Sequence, residues 1–427
     1  MALAIGVADG DMGMLSSAAE FASRCHPGQF RATTRVRYVH PARRERVRVE
    51  LNVILSDSSA SAPAGTARFG TQLTRALLET APHDAVVSGY SHRLSTAGRT
   101  AVHQQVPGLH RLRESMLPRE LLGRVWDSAI TSVPRGSVIL APSLFAPLAA
   151  GPAKSSGGQL LVTVHDLVPF THPETLSAHG ARWHRRQILR AQRWADAILV
   201  PSAAVAATLE HYAPCGDRVH VVPGAPSPAL LGHANEIGSG EGARPYILFV
   251  GTLEPRKGLD LLLSAMAHPD METRETADTR LVVAGATGWG GVNVAEYARA
   301  AGLDPSRLDI VGRIDDEELA SVIRGARALV APSRAEGFGL PVVEAMALAT
   351  PVVHSLDPAL SETAHGAGIG VDLSGDKEVA QGRLAAAIAR VLTEPGLGAE
   401  LSSLGIHRAA QFSWVESARR VWQIVRG

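Results

Sequence analysis

Cysteine is scarce in this sequence, with only Cys25 and Cys215 among 427 residues. Two cysteines are too few for a disulfide framework, which excludes the small disulfide-stabilised secreted domains and is consistent with a reducing compartment. An excess of charge is also missing, because 42 Lys and Arg residues stand against 41 Asp and Glu residues. Without a positive excess, the sequence predicts no nucleic-acid partner.

Long apolar segments are missing as well. Residues 137–153 carry no charge, but three prolines interrupt them and they are too short to span a bilayer. The first residues lack the basic and apolar regions of a secretory signal. Without either feature, we predict a cytoplasmic protein. The length fits two or three domains with well-formed cores.

Metal-ligand spacing is not found among the His, Cys, Asp and Glu residues, so the sequence predicts no metal. Asp9-Gly10-Asp11 matches a D-x-D metal–nucleotide pattern, but it lies in no strand context and is interpreted as chance. The carboxylates at 315–318 are interpreted as helix caps, because Asp315 and Glu318 have capping-box spacing and acids are favoured in a first helical turn.

Two segments are basic. Residues 1–46 are rich in small residues and then in arginine, without helical periodicity; we predict a disordered extension, with a basic arm on anionic lipid as the alternative. Residues 181–194 contain Trp183 and Trp194 among arginines. They are interpreted as a solvated helix whose arginine stems cover apolar surface. The alternative is attraction to an anionic membrane or a phosphorylated acceptor.

Strand and helix patterns alternate from Val47 onward. Residues 47–55 alternate between apolar and polar, a loop of small residues follows at 56–66, and a helix comes after it. Further strand-length apolar runs, separated by helix-length segments, predict a parallel sheet covered on both faces. His165 and Asp166 come at the C-terminal end of one such strand, at the edge where open α/β sheets bind ligands.

A second βα series begins at Pro245, after a segment rich in Pro and Gly that is typical of a linker. We therefore predict an α/β protein with two Rossmann-like parallel-sheet domains facing each other across a cleft. The predicted parts are a first domain at 47–228, a linker at 229–244, a second domain at 245–410 and a last helix at 411–427.

Two helix starts in the second half carry side chains suited to binding. Arg256 and Lys257 precede a helix, where the dipole disfavours cations, and this placement indicates a bound diphosphate. Further on, an apolar strand leads into a Gly-Phe-Gly turn and a helix from Pro341. The free N–H groups there suit an anion or sugar hydroxyls, and Glu336 and Glu344 flank the turn.

Three motifs resemble those of retaining glycosyltransferases of family 4, which have the GT-B fold, and in particular mannosyltransferase-like bacterial members. They are Gly251-Thr252-Leu253-Glu254-Pro255-Arg256-Lys257-Gly258, Val311-Gly312-Arg313, and the segment PSRAEGFGLPVVEAM from Pro332 to Met346. The similarity runs from about Val47 to the C-terminus. Thr252 departs from it, because many relatives have an arginine there. The GT-B fold implies that the last helix crosses back onto the first domain.

The resemblance implies a role for each matching residue. Lys257 and Arg256 would hold the diphosphate of a nucleotide-sugar donor, and Glu336 would bind the hydroxyls of its sugar. Glu344 would accept hydrogen bonds from the ribose, and His165 would close on the diphosphate and sugar from the first domain. The other donor-binding residues it implies are Gly65, Thr66, Thr252, Arg313, Ile314, Gly337, Phe338, Gly339 and Leu340.

The implied activity is transfer of a hexose, with retention, to a hydroxyl of a glycan or lipid-linked glycan in polysaccharide biosynthesis. GDP-mannose is the favoured donor, because the Thr-Leu-Glu-Pro-Arg-Lys form of the motif is similar to that of mannosyltransferases. No cofactor or metal is implied, since Lys257 and Arg256 would replace a divalent ion. The alternatives are a non-catalytic nucleotide-sugar-binding protein and a GT-B epimerase. Peripheral contact with an anionic membrane at its inner face would be consistent with a lipid-linked acceptor.

Overall fold

The computed structural model describes residues 49–59, 65–128, 138–149, 158–232 and 244–427. The extension predicted at 1–46 and most of the linker predicted at 229–244 lie outside the described residues. The described residues belong to one compact unit. Within it, two lobes each consist of a parallel sheet with helices packed against it.

The first lobe contains a seven-stranded sheet in the order β3-β2-β1-β4-β5-β6-β7, and every neighbouring pair is parallel. Its central strands are apolar runs buried on both faces, as expected for a parallel sheet covered by helices. The strands are β1 (Val49–Ile54), β2 (Ala85–Ser91), β3 (Leu112–Glu114), β4 (Val138–Ala141), β5 (Gln159–Thr163), β6 (Ala197–Val200) and β7 (Val219–Val221). The helices are α1 (Gly65–Glu79), α2 (Thr96–Gln105), α3 (Arg119–Asp127), α4 (Val168–Thr171), α5 (Ala178–Trp194) and α6 (Ala203–Tyr212). The short helix α7 (Pro228–Gly232) follows this lobe and packs on the core of the second lobe through Leu230.

The second lobe contains a six-stranded parallel sheet in the order β10-β9-β8-β11-β12-β13. Its strands are β8 (Tyr246–Val250), β9 (Arg280–Ala284), β10 (Leu308–Gly312), β11 (Ala328–Ala331), β12 (Val352–Ser355) and β13 (Ile369–Val371). Its helices are α8 (Leu259–Met266), α9 (Val294–Ala301), α10 (Asp316–Gly325), α11 (Leu340–Ala347), α12 (Pro358–Ala364), α13 (Lys377–Thr393) and α14 (Leu397–Ala409).

Both sheets reverse their strand order beside the first strand of the lobe, between β1 and β4 and between β8 and β11. This is the doubly wound order of Rossmann-like domains, which bind ligands beyond the carboxyl ends of the strands at the reversal. The predicted α/β architecture of two Rossmann-like domains is therefore confirmed. It places the segments after β1, β4, β8 and β11 where a ligand site is expected.

The last helix, α15 (Trp414–Arg426), packs on the first lobe. Ser413 caps its first turn by accepting a hydrogen bond from the N–H of Glu416. Trp414 contacts the Phe69 ring edge-on at a centroid distance of 5.2 Å. The indole N–H of Trp422 donates to the carbonyl of Leu77 at 3.3 Å. The C-terminal end of the chain thus completes the core of the first lobe.

The lobes are also joined by hydrogen bonds at the start of α6. Ser202 donates to the carbonyl of Gly337 at 2.8 Å. The carboxylate of Glu362, from α12 of the second lobe, accepts from the N–H groups of Ala203 and Ala204 at 2.8 and 2.7 Å. The first N–H groups of a helix have no partner within the helix. In α6 a carboxylate of the second lobe is their partner.

Candidate active site

Arg256 and Lys257 lie in a short 3-10 turn between β8 and α8, which Gly258 ends in the left-handed conformation at φ 69°. A Cβ atom at Gly258 would lie 2.1 Å from the carbonyl oxygen of Pro332. The turn after β8 therefore packs directly against the turn after β11. This close approach brings the two motifs found in the sequence into one site.

Glu336 is the centre of that site. Lys257 Nζ forms an ion pair with its Oε1, Arg256 Nη1 lies 3.3 Å from its Oε2, and Ser333 donates to it at 2.9 Å. Burial alone would raise the pKa of Glu336, but Lys257 and Arg256 outweigh burial and lower it to about 2. The carboxylate is therefore ionised throughout the physiological range and can only accept hydrogen bonds.

Arg256 is held by the backbone as well as by carboxylates. It donates to Glu254 at 2.8 Å and to the carbonyl of Ala335 at 3.0 Å. Asp357 lies behind Glu336 and accepts from its N–H at 3.2 Å. Burial raises the pKa of Asp357 to about 6, and the nearby charge of Glu336 adds to that shift. The cluster therefore combines two cations with three acidic groups.

The glycine turn after Glu336 is shaped by close contacts. A Cβ at Gly337 would lie 1.8 Å from the carbonyl oxygen of His165, so only glycine allows the lobes to approach here. Gly339 is left-handed at φ 88° and precedes α11. Within the described residues, the N–H groups of Phe338 and Gly339 donate no hydrogen bond. Both donors are thus free to bind a ligand.

The side chains of Phe338 and Leu340 point into the protein interior. Phe338 is buried and meets Phe412 edge-on at 5.2 Å. Leu340 packs against both the first-lobe and second-lobe cores. Any contact of these two residues with a nucleotide-sugar donor would therefore be made by the backbone rather than by the side chain.

Glu344 is buried and belongs to an ion-pair network between the lobes. Arg68 of α1 donates to its Oε1 at 2.9 Å and lies 3.3 Å from Asp316 Oδ1. Burial raises the pKa of Glu344, and Arg68 opposes this rise. Asp316 also accepts from Ser227 at 3.3 Å. In its predicted role, the carboxylate of Glu344 would therefore accept hydrogen bonds from the ribose and from Arg68 at the same time.

A cavity of about 360 Å³ lies beside this network, between the lobes. Gly65 lines it from the first lobe. Thr252, Arg313 and Ile314, for which donor binding is predicted, line it from the second lobe. Its volume is within the usual range for small-molecule sites.

A second cavity of about 550 Å³ lies on the side of the first lobe and also reaches Arg313. Thr66, His165 and Asp166 line it. His165 Nε2–H donates to the carbonyl of Pro142 at 2.7 Å, and burial lowers the pKa of the imidazole. His165 is therefore a neutral histidine that is fixed by the backbone and still faces the cavity.

One prediction at the edge of this site is wrong. Gly65 and Thr66 lie in the first turn of α1 rather than in the preceding loop. The capping prediction at 315–318 is confirmed, because Asp315 accepts from the N–H of Glu318 at 2.9 Å and the acids that follow lie in the first turn of α10. Asp316 also binds Arg68 and Ser227.

Arg68 and Asp316 are among the site residues that were not predicted from the sequence. A signal for Arg68 existed, because it is a cation close to the start of a helix that follows a loop of small residues. The dipole argument applied to Arg256 and Lys257 covers this position too. Asp316 gave no such signal, since an acid in a first helical turn is ordinary.

Within the described residues, no group of three or more His, Cys, Asp or Glu residues could hold a metal ion. None of the helices in the described ranges is both long and apolar enough to cross a membrane.

Two protein-family models match the chain. The model described as Glycosyltransferase Family 4 matches residues 63–225, and the model described as Glycosyl transferases group 1 matches residues 236–407. The two matches follow the two lobes. The chain belongs to the family 4 glycosyltransferases. The predicted family is thereby confirmed, and its similarity to mannosyltransferases is supported by individual relatives.

Relatives of this glycosyltransferase include O-antigen chain mannosyltransferase B of Escherichia coli. It is 34% identical over 169 residues, which are 40% of this chain and 42% of that protein. The MMP alpha-(1->4)-mannosyltransferase of Mycolicibacterium hassiacum is 29% identical over 276 residues, 60% of this chain and 62% of that protein. The chain thus spans less than two thirds of the length of these curated relatives.

Solved structures share the arrangement of both lobes. HepE of Anabaena, in complex with UDP and glucose, superimposes with a TM-score of 0.66 at 18% identity, covering 88% of this chain and 99% of that one. At this identity the likeness concerns the fold alone, and it confirms the predicted GT-B architecture of the glycosyltransferase.

Proposed function

We propose that this glycosyltransferase transfers a hexose from a nucleoside-diphosphate sugar to a hydroxyl of a glycan or lipid-linked glycan, with retention and without a metal. The observation that carries the proposal is the meeting of Lys257, Arg256 and Glu336 beside the free N–H groups of Phe338 and Gly339. Two cations next to open backbone donors suit a diphosphate and the sugar attached to it.

The donor would lie along the cleft. Its diphosphate would compete with Glu336 for Lys257 and Arg256, and the freed carboxylate would accept from sugar hydroxyls. Glu344 would accept from the ribose, with the base near Arg313 and Ile314 in the smaller cavity. GDP-mannose is the favoured donor, which the mannosyltransferase relatives support. HepE, which has a similar fold, was crystallised with UDP and glucose, so UDP-sugars are the donors to compare with GDP-mannose.

The chemistry would depend on electrostatics rather than on a side-chain base. Cleavage of the bond between the anomeric carbon and the phosphate oxygen leaves negative charge on the diphosphate. Lys257, Arg256 and the free N–H groups would stabilise that charge in place of a divalent ion. The acceptor oxygen would attack the same face, and its proton would pass to the departing phosphate oxygen. His165 is neutral and uses its Nε2–H on the carbonyl of Pro142, so it would accept a hydrogen bond from a sugar hydroxyl through Nδ1.

The acceptor would enter from the larger cavity, which His165 and Asp166 line. We place the enzyme in the cytoplasm, in polysaccharide biosynthesis, with peripheral contact between α5 and the inner face of an anionic membrane. Support for that contact comes from Arg182, Leu189 and Arg193, which are exposed along α5. Sedimentation with vesicles containing anionic lipid would measure it. An Arg182→Glu and Arg193→Glu double variant that sediments as well as the wild type would contradict it.

Donor use is tested by a thermal-shift screen of GDP-, UDP- and dTDP-sugars, followed by assays of nucleoside diphosphate release. Lys257→Gln should weaken nucleoside diphosphate binding by about 10- to 100-fold, since a hydrogen bond to a charged group is lost. Lys377→Gln is the matched control, because Lys377 is exposed at the start of α13. If no donor releases a nucleoside diphosphate, the protein binds nucleotide sugars without turning them over.

Glu336→Ala separates transfer from binding. The variant should lose transfer while it still binds the nucleoside diphosphate, because the carboxylate is proposed to hold the sugar and not the phosphates. Isothermal titration with the nucleoside diphosphate and a transfer assay measure the two effects. Equal loss of both would show that Glu336 mainly positions Lys257 and Arg256.

A further inference from the structure

We infer that the groove between α3 and α5 binds the second sugar of the acceptor, so that the acceptor is an oligosaccharide rather than a single sugar. The inference rests on the proposed function, because it extends the acceptor side of that site. The groove is a cavity of about 440 Å³ on the first lobe.

The groove adjoins the larger cavity of the active site. Four residues line both: Arg119 and Trp183, with Leu144 and Phe145 between them. A chain that has its terminal sugar beside His165 therefore extends past Trp183 into the groove. The 550 Å³ and 440 Å³ volumes are each within the range of small-ligand sites.

Side-chain contacts fix the junction between the two cavities. The guanidinium of Arg119 lies 4.3 Å from the centroid of the Phe145 ring and forms an ion pair with Asp57 at 2.6 Å. Asp57 also accepts from Ser143 at 2.8 Å. Because these contacts fix Arg119, its remaining N–H groups are held in place before a ligand arrives.

The groove beyond the junction has mixed charge. Asp127 ends α3 and binds α5, accepting from Arg186 at 3.1 Å and from Gln187 at 2.7 Å. Glu120 and Arg124 complete the rim from α3. Cations and carboxylates line it together, so a neutral ligand with many hydroxyls fits better than a phosphate, which the carboxylates would repel. Aromatic walls with planar polar groups on the rim match a sugar ring, which has apolar faces and hydroxyls at its edge.

The stripe of α5 that lines the groove includes Arg186 but neither Arg182 nor Arg193, the other two exposed arginines of this helix. His179, Trp183 and Arg186 recur at intervals of three and four residues and share one face of α5. Arg182 is one residue from Trp183, about 100° around the helix, and it is exposed outside the groove. The two faces can therefore be altered separately.

The experiment compares initial rates on matched acceptors: the methyl glycosides of mannose, glucose and galactose, each as a monosaccharide and as a disaccharide. With the donor that is turned over, kcat/KM should be about tenfold higher for the disaccharide of the accepted sugar, as expected for added hydrogen bonds in the groove. Arg124→Ala should lower the disaccharide-to-monosaccharide ratio at least about threefold. Arg182→Ala should leave that ratio unchanged, and thermal melting confirms that both variants are folded.

Any of the following results would contradict the inference. Equal kcat/KM for both lengths, or a ratio that Arg124→Ala does not change, means that the groove binds no sugar. Release of nucleoside diphosphate without transfer to any saccharide excludes a sugar acceptor but leaves the proposed donor chemistry standing. A protein that cleaves no donor at all overturns the proposed function, and the inference with it.

Discussion

Arg68 Nη2 lies 2.9 Å from Glu344 Oε1, across the boundary between the lobes and 276 positions away in the sequence. Glu344 is almost completely buried, and its charge is balanced by this one arginine of the first lobe. The predicted ribose-binding carboxylate of the second lobe is therefore oriented by a side chain of the first lobe.

Arg68→Gln should destabilise the protein by about 3 kcal/mol, because it leaves a buried carboxylate without its cation. Urea unfolding measures the change. The double variant Arg68→Gln with Glu344→Gln should recover part of that loss, since a neutral amide is less costly to bury than an unpaired charge. A double variant no more stable than Arg68→Gln alone would show that the charge of Glu344 is not what Arg68 compensates.

The matched control for Arg68 is Arg182→Gln. Arg182 is exposed on α5 and lies far from the network in the sequence. Its replacement should change the free energy of unfolding by less than about 0.5 kcal/mol. A comparable loss in the free energy of unfolding for Arg68→Gln and Arg182→Gln would indicate a general effect of removing an arginine.

Gly258→Ala should destabilise the protein by about 4 kcal/mol, because a Cβ there would lie 2.1 Å from a backbone oxygen and Gly258 is left-handed. Gly375→Ala is the control. Gly375 is also left-handed, at φ 90°, but a Cβ there would meet nothing within 4 Å, so about 1–2 kcal/mol is expected. Thermal or urea unfolding of the two variants separates backbone strain from the clash. Equal losses would mean that the two motif turns can move apart.

The sequence predicted the site where its signal was local. Arg256, Lys257 and Glu336 each lie at a strand end beside a helix start, and the structure brings all three into contact. Arg68 was missed because its partners lie in the other lobe, and periodicity within a helix does not identify a partner 276 positions away. A contact of this kind depends on how the two lobes pack together. The residue pattern of a single sequence does not determine that packing.

The fold was predictable for a similar reason. The apolar residues Leu259, Leu262, Leu263 and Met266 recur at helical spacing, and all four are buried in α8. The start of α1 was placed too late because Gly65 and Thr66 are poor helix formers. The first turn of a helix forms few internal hydrogen bonds with its own N–H groups, so residues of low helix propensity are tolerated there.

Glu362→Ala should destabilise the protein by about 1–2 kcal/mol, because it removes an anion that binds two N–H groups at the start of α6. Since Glu362 belongs to the second lobe, the variant should also loosen the contact between the lobes. Hydrogen exchange should then rise at the amides of Ala203 and Ala204. Glu378→Ala, at an exposed position in the first turn of α13, should leave both amides protected. Unchanged exchange in Glu362→Ala would mean that solvent replaces the carboxylate without cost.

The ion pairs of Glu336 should appear as a pH dependence of stability. Its pKa is lowered from 4.5 to about 2 in the folded protein, so the folded state binds fewer protons than the unfolded state between these values. Stability from this group is thus fully present above pH 4.5 and is lost as the pH falls, with about 2 kcal/mol lost by about pH 3. Glu336→Gln should remove that part of the acid slope, measured by urea unfolding between about pH 5 and about pH 3. The exposed Glu378→Gln should keep the wild-type slope, and the same slope in Glu336→Gln would mean that Lys257 and Arg256 do not hold the carboxylate ionised.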